Sequence, residues 1–393
     1  MMGRLVQWGA GNIGRSFIGQ VFARNGWGVT FIDIDRELVD LLNRTHSYVV
    51  RTVDEEKSED LHVVGIDAVD GNDRQRVIES IVYADILSFS VGKHILPRIA
   101  PLFAEALLSR WKVRGETPLD VILAENMHNG ALLVRSLLEP HLPKEYPLSR
   151  LVGLIQTSIG KMVPIQESRD RLMMIAEPFN TLVLDRDGFT GAIPDFPQIE
   201  AVSPIEAYVD RKLYMHNLGH AVAAYVGYDA HPHTRYLAEV IGDERVLSAT
   251  RSAMGEGADI LLASYPEVFT PAMLTDYRED LLHRFSNRAL GDTVHRVGRD
   301  LARKLRHDDR LMGAMLAAHR LGVSYEAMAH AYAKALSFAS VDETGKLFEP
   351  DRKFLQDIAP LSPVDRICYA AGMSAEPLPQ EIIATIAAQM HVR

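Results

Sequence analysis

The sequence predicts an α/β N-terminal domain with a doubly wound, mostly parallel sheet, followed by a mainly α-helical C-terminal domain. Short apolar runs of strand length alternate with helical apolar spacing through the first half of the chain, and the strand signals fade after about Ser203. The length of 393 residues exceeds what one ordinary hydrophobic core organises. We therefore expect an α/β domain over residues 1–195 and a helical domain over residues 196–393.

The strands of the first half are predicted at five short apolar runs, which lie at 4–10, 29–34, 84–91, 119–124 and 151–159. Residues 13–24 carry apolar side chains at helical spacing, so the opening unit is predicted as strand, turn and helix. Strands that alternate with helices imply right-handed βαβ crossovers and hence a parallel sheet. The glycine- and proline-rich segment 185–203 is interpreted as a linker. Beyond it, helical periodicity dominates over residues 207–226, 235–265 and 314–339.

Composition narrows the possible partners. The formal net charge of −10 gives a long-range field of the wrong sign for non-specific binding to nucleic acid or to an anionic membrane, so neither is expected as a partner. The single cysteine, Cys368, has no partner for an intramolecular disulfide, and no apolar run approaches the ~20 residues that span a bilayer. The chain enters its first predicted strand without a targeting signal, so a cytoplasmic protein is expected.

A glycine-rich turn follows the first predicted strand. Gly9 permits the tight turn, Gly11 allows the backbone to approach a pyrophosphate, and Gly14 lets the helix pack closely on the strand. In this position the pattern predicts a Rossmann dinucleotide site, whose turn comprises Gly9, Ala10, Gly11, Asn12, Ile13 and Gly14.

Asp33, near the end of the second predicted strand, is the candidate ribose-binding residue of this site. A carboxylate there accepts hydrogen bonds from the ribose hydroxyls and repels the extra phosphate of NADP, so NAD is the expected cofactor. Arg36 nearby is a candidate contact for a ribose phosphate. The alternative interpretation is a structural glycine turn with Asp33 as a solvated strand end.

Lys212, Asn217 and His220 begin the first helical pattern beyond the predicted linker. On an ideal α-helix Asn217 lies about 140° and His220 about 80° round the axis from Lys212, so the three side chains can face one cleft. A desolvated lysine exchanges a proton with a substrate oxygen, and amide donors stabilise the alkoxide. Asn126, at the carboxyl end of the fourth predicted strand, is a candidate second amide donor or a helix cap. The alternative for the triplet is a solvated helix face.

His216 and His220 are four residues apart, which is also the spacing of metal ligands on a helix. No third ligand accompanies them, and the only cysteine is far away in the sequence. The sequence therefore predicts no metal site, and it assigns no role to His216.

The chain resembles the polyol-specific long-chain dehydrogenases. The residues that carry the resemblance span most of the chain, and they are Trp8 to Arg15, Phe31 to Asp33, Ala124 to Asn126, the triplet Lys212, Asn217 and His220, Arg284 to Asn287, Asp292 to Thr293, and Arg296 to Asp300. The resemblance implies an NAD-linked, metal-independent enzyme with a helical substrate-binding and catalytic domain. It implies Lys212 as general acid/base, Asn217 and Asn126 as the oxyanion hole, and His220 as the residue that orients the substrate hydroxyls.

Eight basic residues concentrate between positions 284 and 310 of this acidic protein. Arginine suits bidentate recognition of phosphate, so the block favours an anionic sugar, although ion pairs on a solvated helix face are the alternative for most of its members. The resemblance places Arg296 and Lys304 on the substrate side, and the chain has the shorter build of the branch that acts on phosphorylated polyols. The expected reaction is the interconversion of D-mannitol 1-phosphate and D-fructose 6-phosphate by a monomer. The alternatives are oxidation of free mannitol, reduction of a hexuronate, or NAD sensing without chemistry.

Overall fold

The computed structural model describes residues 2–55, 57–125, 127, 129–164, 166, 170–373 and 377–390. The chain divides into two compact units, Met1–Val209 and Asp210–Arg393.

In the part of the chain that the structure describes, all strands lie in the first unit. They are, in chain order, β1 (Arg4–Trp8), β2 (Gly28–Asp33), β3 (Ser47–Val53), β4 (Ser58–Val64), β5 (Ile66–Asp70), β6 (Ile86–Phe89), β7 (Leu119–Leu123), β8 (Val152–Ser158), β9 (Met173–Ala176), β10 (Leu182–Asp185) and β11 (Ile199–Val202). Among the described residues, eight of them form one sheet in the order β11-β10-β8-β7-β6-β1-β2-β5. Every neighbouring pair in it is parallel except β8 and β10. The predicted doubly wound, mostly parallel sheet is confirmed, and each of the five predicted strands overlaps an observed one.

The helices of the first unit cover both faces of this sheet. They are α1 (Gln20–Arg24), α2 (Arg36–Thr45), α3 (Arg74–Val82), α4 (Leu96–Arg114), α5 (Gly130–Leu138) and α6 (Leu148–Leu151), and a π-helical turn, Gly14–Gly19, precedes α1. Phe17, Phe22 and Phe31 are fully buried in the core on one face, and Phe89 and Phe103 are buried in the core on the other. Each such side chain stabilises the fold by about 1.5–3 kcal/mol, which explains why the central strands are apolar on both sides.

Two parts of the first unit differ from the prediction. A second sheet of order β4-β3-β9 lies outside the predicted strands; in β3 only alternate residues are buried, so no continuous apolar run marks it. The segment interpreted as a linker instead contains the end of β10, a 3₁₀ turn at Arg186–Gly188 and all of β11. Turn-forming residues in that segment separate two short strands of the main sheet and do not mark the end of the unit.

The remaining helices confirm the predicted helical C-terminal part. They are α7 (Ile205–Arg211), α8 (Leu218–Ala230), α9 (Leu237–Val240), α10 (Glu244–Ser264), α11 (Pro271–Phe285), α12 (Val294–Gly298), α13 (Leu301–Lys304), α14 (Met312–Leu321), α15 (Glu326–Ala335), α16 (Glu349–Ile358), α17 (Pro363–Ala371) and α18 (Gln380–Gln389). In the described part of the chain, no helix combines the length and the apolar character needed to cross a membrane.

Two of the predicted long helices are interrupted by capping residues. Within 235–265 a new helix, α10, begins after Asp243, whose carboxylate caps it by accepting a hydrogen bond from the Arg245 backbone N–H at 2.8 Å. Within 314–339, α14 ends at Gly322, whose φ of +68° is the left-handed conformation typical of a C-cap. Local capping therefore outweighs continuous apolar periodicity in both places.

Candidate cofactor and catalytic sites

The glycine turn lies at the point where the order of the main sheet reverses. β1 has β2 on one side and β6 on the other, so the chain leaves the middle of the sheet in both directions. In open α/β sheets such a point forms a crevice at the carboxyl ends of the strands, which is where nucleotides bind. Gly9, the first residue after β1, occupies this edge.

The three glycines of the turn have different surroundings. Gly9 has a φ of +99°, and a Cβ atom there would clash with the Ser90 carbonyl oxygen at 2.5 Å. A Cβ atom on Gly14 would collide with the Gly9 carbonyl oxygen. A Cβ atom on Gly11 would have no atom within 4 Å, so the space beside this exposed residue is open. The turn therefore fits the close approach of a pyrophosphate at Gly11.

Asp33 is tied to the same turn. Its Oδ2 accepts a hydrogen bond from the Ala10 N–H at 2.7 Å, and its Oδ1 accepts one from the Asp35 N–H at 3.0 Å. The carboxylate is thus fixed at the carboxyl end of β2 beside the glycine turn. Arg36 is engaged elsewhere, because its Nε lies 2.8 Å from Asp70 Oδ2.

Asn12 and Ile13 begin the helical segment that continues through the π-helical turn. Ser16 donates its hydroxyl hydrogen to the Asn12 carbonyl at 2.5 Å, which ties down this first turn. The N-terminal end of a helix favours anions through its unpaired N–H groups and its dipole. The structure thus brings together all the residues that the sequence predicts for the dinucleotide site.

Asn126 lies outside the described residues. The residue before it, Glu125, follows β7, and its Oε1 accepts a hydrogen bond from the Gly92 N–H at 2.6 Å. Burial raises the pKa of Glu125, while that hydrogen bond opposes the rise.

The segment that carries the predicted catalytic triplet is not an ideal α-helix. Lys212–Asn217 forms a π-helical turn between α7 and α8, whose hydrogen bonds join residues five apart. Residues five apart therefore lie closer to one face than the 140° of an α-helix implies, which brings Asn217 round toward Lys212. Gly257 on α10 accommodates this wider turn, since a Cβ atom there would collide with the Tyr214 carbonyl oxygen.

Lys212 is partly buried in the second unit. Desolvation lowers its pKa to about 7, and the positive charge of Arg310 adds to the effect. Arg310 also reaches the catalytic segment directly, because its Nη1 donates a 3.4 Å hydrogen bond to the Asn217 carbonyl. Near neutral pH the Lys212 amine therefore exists in both protonation states, which is the property required of a general acid/base.

His220 is packed against an aromatic ring. Its imidazole stacks on Phe285 with the ring centroids 4.8 Å apart and the planes 10° from parallel, and its Nε2 lies 3.4 Å from Asp292 Oδ2. Burial lowers its pKa well below the ordinary value, and nearby cations lower it further, namely Arg296, Lys304, Arg310 and Arg284. The single carboxylate contact does not offset burial and four cations, so the ring is neutral at physiological pH.

His216 lies on the same wall of the second unit. It is 5% exposed, and its ring centroid is 5.8 Å from that of Phe285 and 6.1 Å from that of His220. Burial, reinforced by Arg284, lowers its pKa well below the ordinary value, so this imidazole is also neutral. Among the described residues, no group of three or more histidine, cysteine, aspartate or glutamate side chains is arranged to hold a metal ion.

The basic block separates into exposed and buried members. Arg303 and Arg306 are about half exposed and form ion pairs with Asp300 and Asp308, as on a solvated helix face. The other group is less exposed and lies near enough to His220 to lower its pKa; its members are the buried Arg284 and Lys304 and the partly buried Arg296 and Arg310.

Arg296 and Lys304, which the family resemblance places on the substrate side, are each held by a short contact with a residue nearby in the sequence. Arg296 ion-pairs with Asp292, and Lys304 Nζ donates a 2.6 Å hydrogen bond to the Val297 carbonyl. Burial lowers the pKa of Lys304 to about 7, with Arg310 contributing. Tyr225 donates its hydroxyl hydrogen to the Gly298 carbonyl at 3.0 Å and so fixes the end of α12, which carries Arg296.

The sequence motifs assign no individual role to Asp292, Phe285 or Arg310, although all three contact residues of the candidate site. Phe285 and Asp292 stand in the segment that carries the family resemblance, and Arg310 ends the basic block. The available signal was their presence in those segments; their contacts with His220 and Asn217 depend on tertiary packing.

A Rossmann sheet with an open glycine turn, together with a helical unit that carries a lysine of lowered pKa, defines an oxidoreductase of the dehydrogenase class.

Within that class, the chain belongs to the mannitol dehydrogenase family. Residues 3–198 match the mannitol dehydrogenase Rossmann domain, and residues 204–389 match the mannitol dehydrogenase C-terminal domain. A mannitol-1-phosphate 5-dehydrogenase of Brevibacillus brevis is 36% identical over 335 residues, which are 85% of each chain. The resemblance deduced from the sequence motifs is thereby confirmed.

Two solved structures share the fold at low sequence identity. The mannitol 2-dehydrogenase of Pseudomonas fluorescens, in a ternary complex with NAD and D-mannitol, aligns with a TM-score of 0.75 at 19% identity, over 99% of this chain and 91% of that one. A D-sorbitol dehydrogenase in substrate-free form aligns with a TM-score of 0.80 at 16% identity, over 98% and 92% of the two chains.

Proposed function

We propose that the protein interconverts D-mannitol 1-phosphate and D-fructose 6-phosphate with NAD, using Lys212 as general acid/base and no metal. The observation that carries the proposal is a lysine with a pKa of about 7 on the segment that also bears His220, which four cations of low exposure surround. The 36% identical mannitol-1-phosphate 5-dehydrogenase supports the same reaction. A monomeric state and a cytoplasmic location remain predictions from the sequence.

NAD is the cofactor that the first unit fits. Gly11 leaves open space at the turn for a pyrophosphate, Gly9 and Gly14 allow the close backbone packing that shapes the turn, and the oriented carboxylate of Asp33 is placed to accept hydrogen bonds from ribose hydroxyls. When bound, NAD supplies the nicotinamide ring that exchanges a hydride with the substrate carbon. The NAD complex of the structurally similar mannitol 2-dehydrogenase agrees with this choice.

Residues of the second unit exchange a proton with the substrate and stabilise the negative charge that develops on its oxygen. In oxidation, the neutral amine of Lys212 accepts the proton of the secondary hydroxyl as the C–H bond breaks, and in reduction its ammonium form returns that proton. The side-chain amide of Asn217 donates a hydrogen bond to the alkoxide oxygen, and Asn126, the second donor expected from the sequence, lies outside the described residues. The neutral imidazole of His220 orients a substrate hydroxyl without adding a competing charge.

The phosphate end of the substrate is assigned to Arg296 and Lys304. Lys304 is buried and the side chain of Arg296 is 27% exposed, and both lie close enough to His220 to lower its pKa, so an anion bound there is partly desolvated. Charge-assisted hydrogen bonds are strong in such surroundings. Arg303 and Arg306 are left out of this assignment because they are about half exposed, so that solvent screens their charges.

A substrate screen monitored by NADH absorbance tests the reaction. We expect turnover with mannitol 1-phosphate and NAD, and with fructose 6-phosphate and NADH, to exceed turnover with mannitol, fructose or hexuronates. Efficient oxidation of free mannitol, or efficient reduction of a hexuronate, would show that the substrate is not phosphorylated and that the enzyme catalyses that reaction instead. NAD binding without turnover of any of these compounds would indicate a sensor.

The cofactor preference is expected to depend on the charge of Asp33. Replacing Asp33 by asparagine keeps the shape and an acceptor for the Ala10 N–H but removes the charge that repels the extra phosphate of NADP. We expect the ratio of kcat/KM for NAD to that for NADP to fall by about tenfold or more.

The matched control is Asp67→Asn, which removes an exposed carboxylate from the neighbouring strand β5 and should leave the ratio unchanged. A wild-type enzyme that uses both cofactors equally well would refute the role of Asp33.

A further inference from the structure

Asp292 is a carboxylate of low exposure that faces two groups assigned above to the substrate. It is 9% exposed; its Oδ1 pairs with Arg296 Nη2, and its Oδ2 lies 3.4 Å from His220 Nε2. One side chain therefore contacts both the hydroxyl-orienting histidine and a phosphate-binding arginine.

The backbone around Asp292 is fixed from two sides. Its carbonyl accepts a 2.8 Å hydrogen bond from the Leu237 N–H, and the next residue, Thr293, forms a β-bridge with Tyr236. The Thr293 hydroxyl also caps α12 by accepting the Arg296 N–H at 3.1 Å. The carboxylate is therefore held one turn before Arg296, the spacing at which two side chains of opposite charge can pair.

His220 and Arg296 each retain a buried polar atom without a hydrogen-bond partner in the described part of the chain. These atoms are His220 Nε2 and Arg296 Nε. Asp292 lies 3.4 Å from His220 Nε2 and pairs with Arg296 through Nη2, so its negative charge stabilises both side chains by electrostatic attraction, although these two buried atoms make no hydrogen bond to any described residue.

We propose that Asp292 is a positioning residue that fixes the side chains of His220 and Arg296 relative to each other, so that the substrate is bound at its hydroxyl groups and at its phosphate at the same time. The proposal rests on the proposed function. The carboxylate favours the proton on Nε2 of His220, which leaves Nδ1 to accept a hydrogen bond from a substrate hydroxyl. The same carboxylate anchors the guanidinium of Arg296 among cations that repel it.

A double-mutant cycle tests this coupling. Asp292→Asn preserves the shape and removes the charge, and we expect it to raise KM for mannitol 1-phosphate about tenfold while KM for NAD stays unchanged. If Asp292 acts through its two partners, the effect of D292N should be smaller in the H220Q background and in the R296Q background than in the wild type, and it should nearly vanish when both partners are replaced. Asp308→Asn, which removes an exposed carboxylate paired with Arg306, is the matched control and should leave both KM values unchanged.

Two outcomes would overturn the proposal. The first is an effect of D292N that multiplies fully with those of H220Q and R296Q, and the second is an equal rise of both KM values, as expected from general loss of structure. If D292N does not fold, D292E carries the test, because it keeps the charge but displaces the carboxylate by one methylene; it should raise KM for the polyol alone. The cycle can be run with any polyol that the wild type oxidises, so failure of the phosphate assignment is distinguishable from failure of this coupling.

Discussion

Replacing Lys212 by alanine is expected to lower turnover by about 10²–10⁴, the usual contribution of a positioned general acid/base. The affinity for NAD should change little, because the cofactor-binding residues belong to the other unit of the chain. Turnover and NAD affinity, measured on the same preparation, therefore separate the loss of chemistry from a loss of folding. Lys353→Ala, which removes an exposed lysine from α16, is the control and should behave as the wild type.

The pH dependence of kcat/KM provides a second test of Lys212 as the general acid/base. Only the neutral amine accepts a proton, so kcat/KM for oxidation should rise as the pH increases through about 7, the pKa to which burial lowers Lys212. Reduction needs the ammonium form, so its kcat/KM should fall over the same interval. Both trends should be absent in K212A.

A folded K212A variant with near-normal turnover, or with the wild-type pH profile, would contradict the assignment. The base would then have to be another residue of the segment, and His220 would be the first to test. The low pKa of that imidazole makes it neutral over the whole relevant range, so a profile centred near 7 that disappears in K212A argues for Lys212 and against His220.

The sequence predicted the central strands because their signal is local and strong. β1, β6, β7 and β8 are buried on both faces, so they form apolar runs that no helical period explains. β3 is buried on one face only, and β10 and β11 are four residues long between turn-forming residues. Their pairing in a sheet is decided by distant partners, which periodicity along the chain does not record.

At the site, too, the features that depend on nearby residues in the sequence are predicted, and those that depend on tertiary packing are not. The glycine turn and Asp33 belong to one βαβ unit, so their spacing alone predicts that they form one site, and the structure joins them by the 2.7 Å hydrogen bond from the Ala10 N–H to Asp33. The π-helical turn at 212–217 depends on packing against Gly257 of α10, and ideal helical angles do not anticipate it. The local concentration of basic residues in the sequence likewise identifies the basic block. It does not show which of these residues are buried, because burial depends on how the helices pack.

Phosphate on the substrate is expected to raise kcat/KM by about 10²-fold or more, measured as the ratio of mannitol 1-phosphate to mannitol. Arg296 and Lys304 have low exposure, and Arg310 and Arg284 add positive charge around His220. A phosphate there gains charge-assisted hydrogen bonds at low effective dielectric, and mannitol leaves those donors without an anion.

Variants of the two assigned cations should reduce this ratio selectively. Arg296→Gln and Lys304→Met are each expected to lower kcat/KM for mannitol 1-phosphate by at least tenfold more than for mannitol, because a buried charge pair with the phosphate is worth more than about 1.4 kcal/mol. The pKa of Lys304, about 7 without an anion, rises when a phosphate binds beside it, so the bound substrate itself favours the charged form of the amine. Arg306→Gln, at an arginine that is 47% exposed and paired with Asp308, is the control and should leave the ratio unchanged. Comparable efficiency with mannitol and mannitol 1-phosphate in the wild type would reject the phosphate site while leaving the polyol dehydrogenase chemistry of Lys212 intact.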